Sequence, residues 1–142
     1  MHTRCPGNRR GHAALEFAFF LPYLLFTFVG AFDWGNYAWA LMKTQDAARV
    51  AALYTSAGTS TATDSSGACT RVLAEMSDAP NLAGQSTCTG SLTVTAALVT
   101  GPDGNNASQV TVSYKTVNLI PIPGLLPGQT TITRVVTMMV GS

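Results

Sequence analysis

The residues whose chemistry is most specific lie at the N-terminus, where two arginines precede Gly11 and Glu16 follows five positions later. Glu16 heads an apolar run that lasts to Phe32. An acidic side chain within a membrane-spanning helix costs a few kcal/mol unless something pairs with it. Cleavage after Gly11 would supply a partner, because the new α-amino group of His12 is largely cationic at neutral pH and lies about 6 Å along a helix from Glu16. We therefore predict a processing site at the Gly11–His12 bond, where this chain is the substrate.

The apolar run determines the compartment. Residues 17–32 contain no charge, and residues 12–15 extend the run upstream to a length that can span about 30 Å of hydrocarbon. The arginines before the run and Asp33 directly after it place the N-terminus in the cytoplasm and the rest of the chain outside. An ordinary secretory signal peptide or a plain signal anchor is the simpler alternative. The aromatic-rich sequence from Gly30 to Tyr37 disfavours cleavage on that side of the run.

These residues carry a resemblance. The segment Gly11-His12-Ala13-Ala14-Leu15-Glu16-Phe17 resembles the prepilin peptidase site of type IV pilins, in which cleavage follows the glycine and a glutamate occupies the fifth mature position. The continuation resembles the TadE-like minor pilins, or pseudopilins, of tight-adherence (Tad, Flp-type) pili over roughly the first 55 residues. It runs through Leu21-Pro22, Phe32-Asp33-Trp34-Gly35 and Ala47-Ala48-Arg49-Val50-Ala51-Ala52.

The resemblance implies a set of partners and a location. A prepilin peptidase would cut between Gly11 and His12, and Glu16 would pair with charge during assembly. Other pilin subunits, the inner-membrane assembly platform and membrane lipid are the implied contacts. The chain is then expected in a bacterial inner membrane, with its C-terminal domain periplasmic or extracellular and with possible incorporation into a surface pilus.

Composition agrees with an anchored or secreted protein. Charged residues are 11% of the 142-residue chain and the hydrophobic class is 46%. Loss of the predicted leader, residues 1–11, would remove Arg4, Arg9 and Arg10 and leave five basic side chains against seven acidic ones. Such a mildly acidic remainder predicts no nucleic-acid partner.

The helical pattern continues beyond the apolar run, so that residues 12–55 are predicted to form one transmembrane and pilin-type helix. Its stripe of three- and four-residue spacings indicates a packing face. The stripe consists of Trp34, Tyr37, Leu41, Thr44, Ala48 and Ala51. Two uses for this stripe are open, its own downstream domain or other subunits, and we expect the upper half to serve the first and the lower half the second. Phe17 is assigned to helix packing too, and Pro22 is predicted to kink or unwind a turn.

The remainder predicts an α+β domain after a linker at residues 56–67. Residues 68–142 contain a short amphipathic helix, predicted from Cys69 to Ala79, and a small antiparallel sheet packed on the long helix. The predicted strands are Leu92–Val99, Val110–Val117 and Thr130–Val140, with a turn at Gly101–Asn106. A proline-rich loop at Pro121–Gly128 precedes the third strand. The apolar side chains in and beside this loop are expected in the core, with a partner contact as the alternative: Ile120, Ile122, Leu125 and Leu126.

The cysteine count predicts one staple in this domain. Cys5 would leave with the leader, and Cys69 and Cys88 would remain as an even pair. In an oxidising compartment the pair is expected to close a loop of about twenty residues and contribute about 3 kcal/mol.

No catalytic triad, phosphate-binding loop or metal-ligand spacing stands in the sequence, so we predict no enzyme, cofactor or metal. Two hypotheses follow. The first is a minor pilin, cut by a prepilin peptidase, that takes part in assembling or priming a surface pilus. The second is an uncleaved, signal-anchored binding module of the cell envelope.

Overall fold

The computed structural model describes residues 9–117 and 129–141. In that part the chain forms helices α1 (Arg9–Thr55) and α2 (Ser65–Glu75) and strands β1 (Leu92–Thr100), β2 (Asn106–Lys115) and β3 (Thr131–Met139). The predicted α+β architecture is confirmed: a long helix, a short helix and an antiparallel sheet. Most of the predicted leader and the proline-rich loop with its apolar side chains lie outside the described residues.

Helix α1 runs without interruption for 47 residues, which corresponds to about 70 Å. Of the two interruptions predicted at Pro22, the unwound turn is wrong, because Pro22 lies inside continuous α-helix. The kink stays a prediction. The fixed φ of proline, about −65°, is itself helical. The helix can therefore pass through Pro22 with the loss of one hydrogen bond, the one that an N–H would have made to the carbonyl of Ala18.

Helix α2 begins earlier than the sequence pattern predicted, at Ser65 and not at Cys69, and it ends at Glu75 before the predicted Ala79. The early start has a local cause. Oδ1 of Asp64 accepts hydrogen bonds from the N–H groups of Ser66 (3.1 Å) and Gly67 (2.9 Å), so Asp64 caps the helix. Three residues that we assigned to the linker thus form the first turn of α2.

The three strands form one antiparallel sheet in the order β1-β2-β3. Leu92 pairs with Tyr114, and Tyr114 pairs in turn with Ile132. Strand β2 starts at Asn106, four residues before the predicted Val110, because the β1–β2 turn is tighter than expected. The N–H of Gly101 donates to the carbonyl of Asn105 (2.8 Å), and Gly104 takes a positive φ of 78° that favours glycine.

Alternate residues of the sheet face the two helices. The buried side chains of this inner face are Leu92, Val94, Val110, Val112, Tyr114 and Ile132. The other face is rich in hydroxyl groups, among which Ser113 and Thr133 are hydrogen-bonded across the strands at 2.9 Å. The period-two alternation therefore gives the sheet one apolar and one polar face.

Candidate functional site

The first half of α1 presents an apolar surface that the rest of the chain leaves uncovered. Eleven large apolar or aromatic side chains between residues 15 and 32 are exposed. They are Leu15, Phe17, Phe19, Phe20, Leu21, Tyr23, Leu24, Leu25, Phe26, Phe28 and Phe32. Four consecutive positions, 23–26, are among them, and consecutive helical residues point about 100° apart, so the surface surrounds the helix. By length and composition the helix can cross a membrane. A surface of this kind marks a contact with lipid or with other helices.

The predicted processing site lies in the first turn of α1. Gly11 and His12 are helical in backbone. Glu16 follows one turn later and is exposed among apolar neighbours. Within the described residues no ion pair involves Glu16. A carboxylate in this position needs a cation from elsewhere once lipid or other helices surround it.

The six residues assigned to helix packing fall into two groups. Phe17, Pro22 and Trp34 are exposed, and the Trp34 and Tyr37 rings form a T-shaped pair with centroids 6.4 Å apart. Tyr37 and Leu41 are half-buried against the core, and Ala48 is fully buried. The predicted division of the stripe is therefore visible from Tyr37 upward, where α1 packs on its own domain. Packing of the lower half on other subunits stays a prediction.

Small side chains let α1 approach the sheet and α2 closely. The buried alanines of α1 are Ala40, Ala47, Ala48, Ala51 and Ala52. Two buried threonines lie on the same face, and their hydroxyl groups are hydrogen-bonded to the backbone of α1. Thr44 donates to the carbonyl of Ala40 (2.7 Å) and Thr55 to that of Ala52 (3.2 Å). These alanines and threonines thus form a buried face whose hydroxyl groups are hydrogen-bonded, and the helix cannot rotate within the domain without exposing it.

A polar cluster fixes the upper end of α1 to α2. Tyr54 donates its hydroxyl to Oδ2 of Asp64 (2.8 Å), and the guanidinium of Arg71 stands 5.5 Å from the centre of the Tyr54 ring. The pKa of the Asp64 carboxyl is held below its usual value, first by the N–H of Gly67 and then by the Tyr54 hydroxyl. A Cβ at Gly67 would overlap Tyr54 and Asp64. Any larger residue at that position would force Tyr54 or Asp64 to shift.

Covalent and polar staples hold the rest of the domain. Cys69 and Cys88 form a disulfide, with Cα atoms 5.8 Å apart, that ties α2 to the segment before β1. Asn81 accepts a hydrogen bond from the Tyr114 hydroxyl (2.7 Å) and donates one to the carbonyl of Lys115 (2.8 Å). The turns between α2 and β1 are thereby fixed to β2. The predicted pairing of the cysteines agrees with this structure.

Sequence analysis missed Arg134, which lies on the inner face of β3. Together with Leu41, Met42, Gln45 and Asp46 of α1 it lines a groove of about 400 Å³. Its Nε is buried and has no hydrogen-bond partner among the described residues. The alternation of Ile132, Val136 and Met138 with threonines in β3 would have placed Arg134 on the apolar face from sequence alone.

Metal ligands do not gather in this structure. Among residues 9–117 and 129–141, no group of three or more His, Cys, Asp and Glu side chains is placed to hold an ion.

Fold and site together define an α+β protein whose long helix is exposed over its first half and packed in a small domain over its second half. Residues 11–53 match the family model described as TadE-like protein. The match begins at the glycine of the predicted processing site and ends two residues before the end of α1. Over that segment the chain is similar to TadE-like proteins, which confirms the resemblance. No curated protein and no solved structure matches the chain.

Proposed function

We propose that this chain is a minor pilin, or pseudopilin, which a prepilin peptidase cuts between Gly11 and His12 and which takes part in assembling or priming a Tad-type pilus. Before the cut, the apolar segment of α1 anchors the chain in the inner membrane. After the cut, the same segment packs against the helices of other pilin subunits. The role is structural, and the chain acts as a substrate and a building block.

One observation carries this proposal: the apolar surface of residues 15–32 belongs to the same unbroken helix whose upper half is buried in the domain. A removable signal peptide would not need that continuity. Because the buried alanine face fixes the helix to the sheet, a force applied to the apolar half is transmitted directly to the domain. A subunit that must leave the membrane and enter an assembly needs this rigid connection.

The proposed role of Glu16 follows from the charge change at cleavage. The cut removes Arg4, Arg9 and Arg10, which hold the N-terminus in the cytoplasm, and it creates an α-amino group. That amino group, on the same chain or on a neighbouring subunit, neutralises Glu16 inside an apolar assembly. A single cut thus allows the subunit to leave the membrane and also supplies the cation that neutralises Glu16.

The alternative function is an envelope binding module that keeps its leader and stays anchored. The hydroxyl-rich outer face of the sheet would then be its free surface. This alternative gives no role to Glu16 or to the glycine before His12, so the pilin proposal accounts for more of the sequence.

The test is the formation of surface filaments in the native host. Strains carrying the wild-type chain, Glu16→Gln or Glu75→Gln are compared with a strain that lacks the chain. Glu75→Gln is the matched control, because it removes one carboxylate from α2, away from the apolar segment. We expect few filaments without the chain or with Glu16→Gln, and wild-type numbers with Glu75→Gln. Equal numbers in all four strains would overturn the proposal.

A further inference from the structure

Arg134 is the starting point, because it is the one charged residue on the inner face of the described sheet. It shares its face of β3 with Ile132, Val136 and Met138 and pairs across the strands with Val112. Its Nε is buried without a hydrogen-bond partner among the described residues. Arg134 is half-buried as a whole, and a buried N–H without an acceptor is costly, so this environment favours an acceptor such as a carboxylate beside the guanidinium.

The groove beside Arg134 already contains a carboxylate, that of Asp46, yet within the described residues no ion pair joins the two side chains. Asp46 lines the groove and is exposed on α1, so its carboxylate is accessible to a second chain. Among the described residues, Arg134 thus has no anionic partner and Asp46 has no cationic partner, although both line the same groove.

The level of the groove along α1 excludes lipid phosphate as the partner. Phe32 is the end of the apolar run, and Leu41 is the residue of the groove nearest to it. Leu41 lies nine positions after Phe32, which is about 14 Å at 1.5 Å per residue. The polar layer on each side of a hydrocarbon core is about 5–8 Å thick. The Arg134 side chain therefore lies beyond the headgroups when residues 12–32 span the membrane.

The same anchorage sets two copies of the chain in register. Copies held by the same apolar run stand parallel and at equal height, so Asp46 of one copy is level with the Arg134 groove of another. We propose that two copies pair side by side in the membrane, with Asp46 of each bound to Arg134 of the other. The inference rests on the membrane anchorage in the proposed function and does not depend on cleavage at Gly11.

The exposed face of α1 around Asp46 is suited to such a contact. Met42 and Leu53 stand one turn below and two turns above Asp46 on the same face, and they are 62% and 61% exposed. Arg49 lies between Asp46 and Leu53, so a slip of one turn would bring Arg49 toward Arg134. Repulsion between these two cations favours the register in which Asp46 meets Arg134.

The charge test uses two full-length chains with different tags, one carrying Asp46→Arg and the other Arg134→Asp, expressed separately and together. Glu75→Arg and Lys115→Asp, at positions away from the groove, are the matched controls. In detergent extracts of the membranes we expect each groove variant alone to lose at least tenfold in self-association and the mixture to recover it as a mixed dimer, while the controls associate like wild type. If Asp46 instead pairs with Arg134 of its own chain, mixing the two variants should not restore association. That result would overturn the proposal.

A cysteine test avoids any dependence on repulsion or on folding of the charge variants. In a Cys5→Ser background, a chain with Asp46→Cys and a chain with Arg134→Cys are oxidised together in membranes. We expect a mixed disulfide dimer for this pair and none for Glu75→Cys with Arg134→Cys. Absence of the dimer, in membranes that contain both chains, would contradict this pairing while leaving anchorage and cleavage intact.

Discussion

The hydroxyl of Tyr54, in the last turn of α1, donates a 2.8 Å hydrogen bond to Oδ2 of Asp64, the residue that caps α2. The Asp64 carboxylate therefore binds the last turn of α1 and also caps the first turn of α2. The nine residues between these partners are held further by Ser108, whose hydroxyl donates to the carbonyl of Ala62 (2.9 Å). The connection between the long helix and the domain is consequently a fixed structural element.

Gly67 permits this arrangement, and its substitution should break it. We predict that Gly67→Ala lowers the free energy of unfolding by about 1–3 kcal/mol, because the added methyl group overlaps the Tyr54 ring and the Asp64 carboxylate. Gly58→Ala is the matched control, since a Cβ there meets nothing within 4 Å. Urea unfolding of the detergent-solubilised protein measures both variants. Equal stability of the two would contradict the described cluster.

Acid should destabilise the domain through two carboxylates. The pKa of Asp64 is lowered by the N–H of Gly67 and the Tyr54 hydroxyl, and that of Asp103 mainly by the side chain of Asn105. A lowered folded-state pKa gives stability that is present above the unfolded value, about 3.9, and is lost as the pH falls through the folded value. We expect the urea concentration at the unfolding midpoint to decrease as the pH drops below about 4. The decrease should be smaller in Asp64→Asn. An identical slope in the variant would argue against this role of Asp64.

The sequence predicts those parts of the fold that depend on local pattern. The apolar run and the stripe through Ala48 specify α1, and alternation specifies the three strands. The start of α2 was misplaced because the Ser/Thr-rich stretch indicated a loop, although Asp64 is a good N-cap residue and the signal was present. The unwound turn predicted at Pro22 does not form, because the loss of one hydrogen bond is small beside the hydrogen bonds of the rest of this long helix.

Other features could not be predicted because they depend on tertiary approach. Nothing local tells that Gly67 lies against Tyr54, or that Arg134 faces a groove beside Asp46. The site itself was predictable in one respect only: Glu16 conflicts with its apolar neighbours, and a conflict of that kind indicates function. The identity of its partner depends on other chains.

The disulfide should stabilise the domain by constraining the unfolded chain. Cys69 and Cys88 are 19 residues apart, and we predict that Cys69→Ser, Cys88→Ser and the double variant each lose about 3 kcal/mol. Gel mobility with and without reductant reports the bond, and urea unfolding reports the loss. The wild-type chain should shift on reduction, and the variants should not. No shift in any sample would exclude the bond.

The alanine face of α1 should tolerate no larger side chain. We predict that Ala48→Leu costs about 1–3 kcal/mol, because Ala48 is fully buried between the helix and the domain. Ala38→Leu is the control on the exposed side of the same helix and should change stability by less than about 0.5 kcal/mol. Thermal unfolding of both variants compares them directly. A similar small effect of both would mean that α1 does not pack on the domain through this face.

The most direct measurement is the N-terminal sequence of the chain by mass spectrometry, after extraction from the native host with and without its prepilin peptidase. We predict a chain that begins at His12 when the peptidase is present and one that retains Arg9 and Arg10 when it is absent. A variant with Gly11→Leu should retain the leader in both hosts. A wild-type chain that keeps both arginines in the presence of the peptidase would contradict the account.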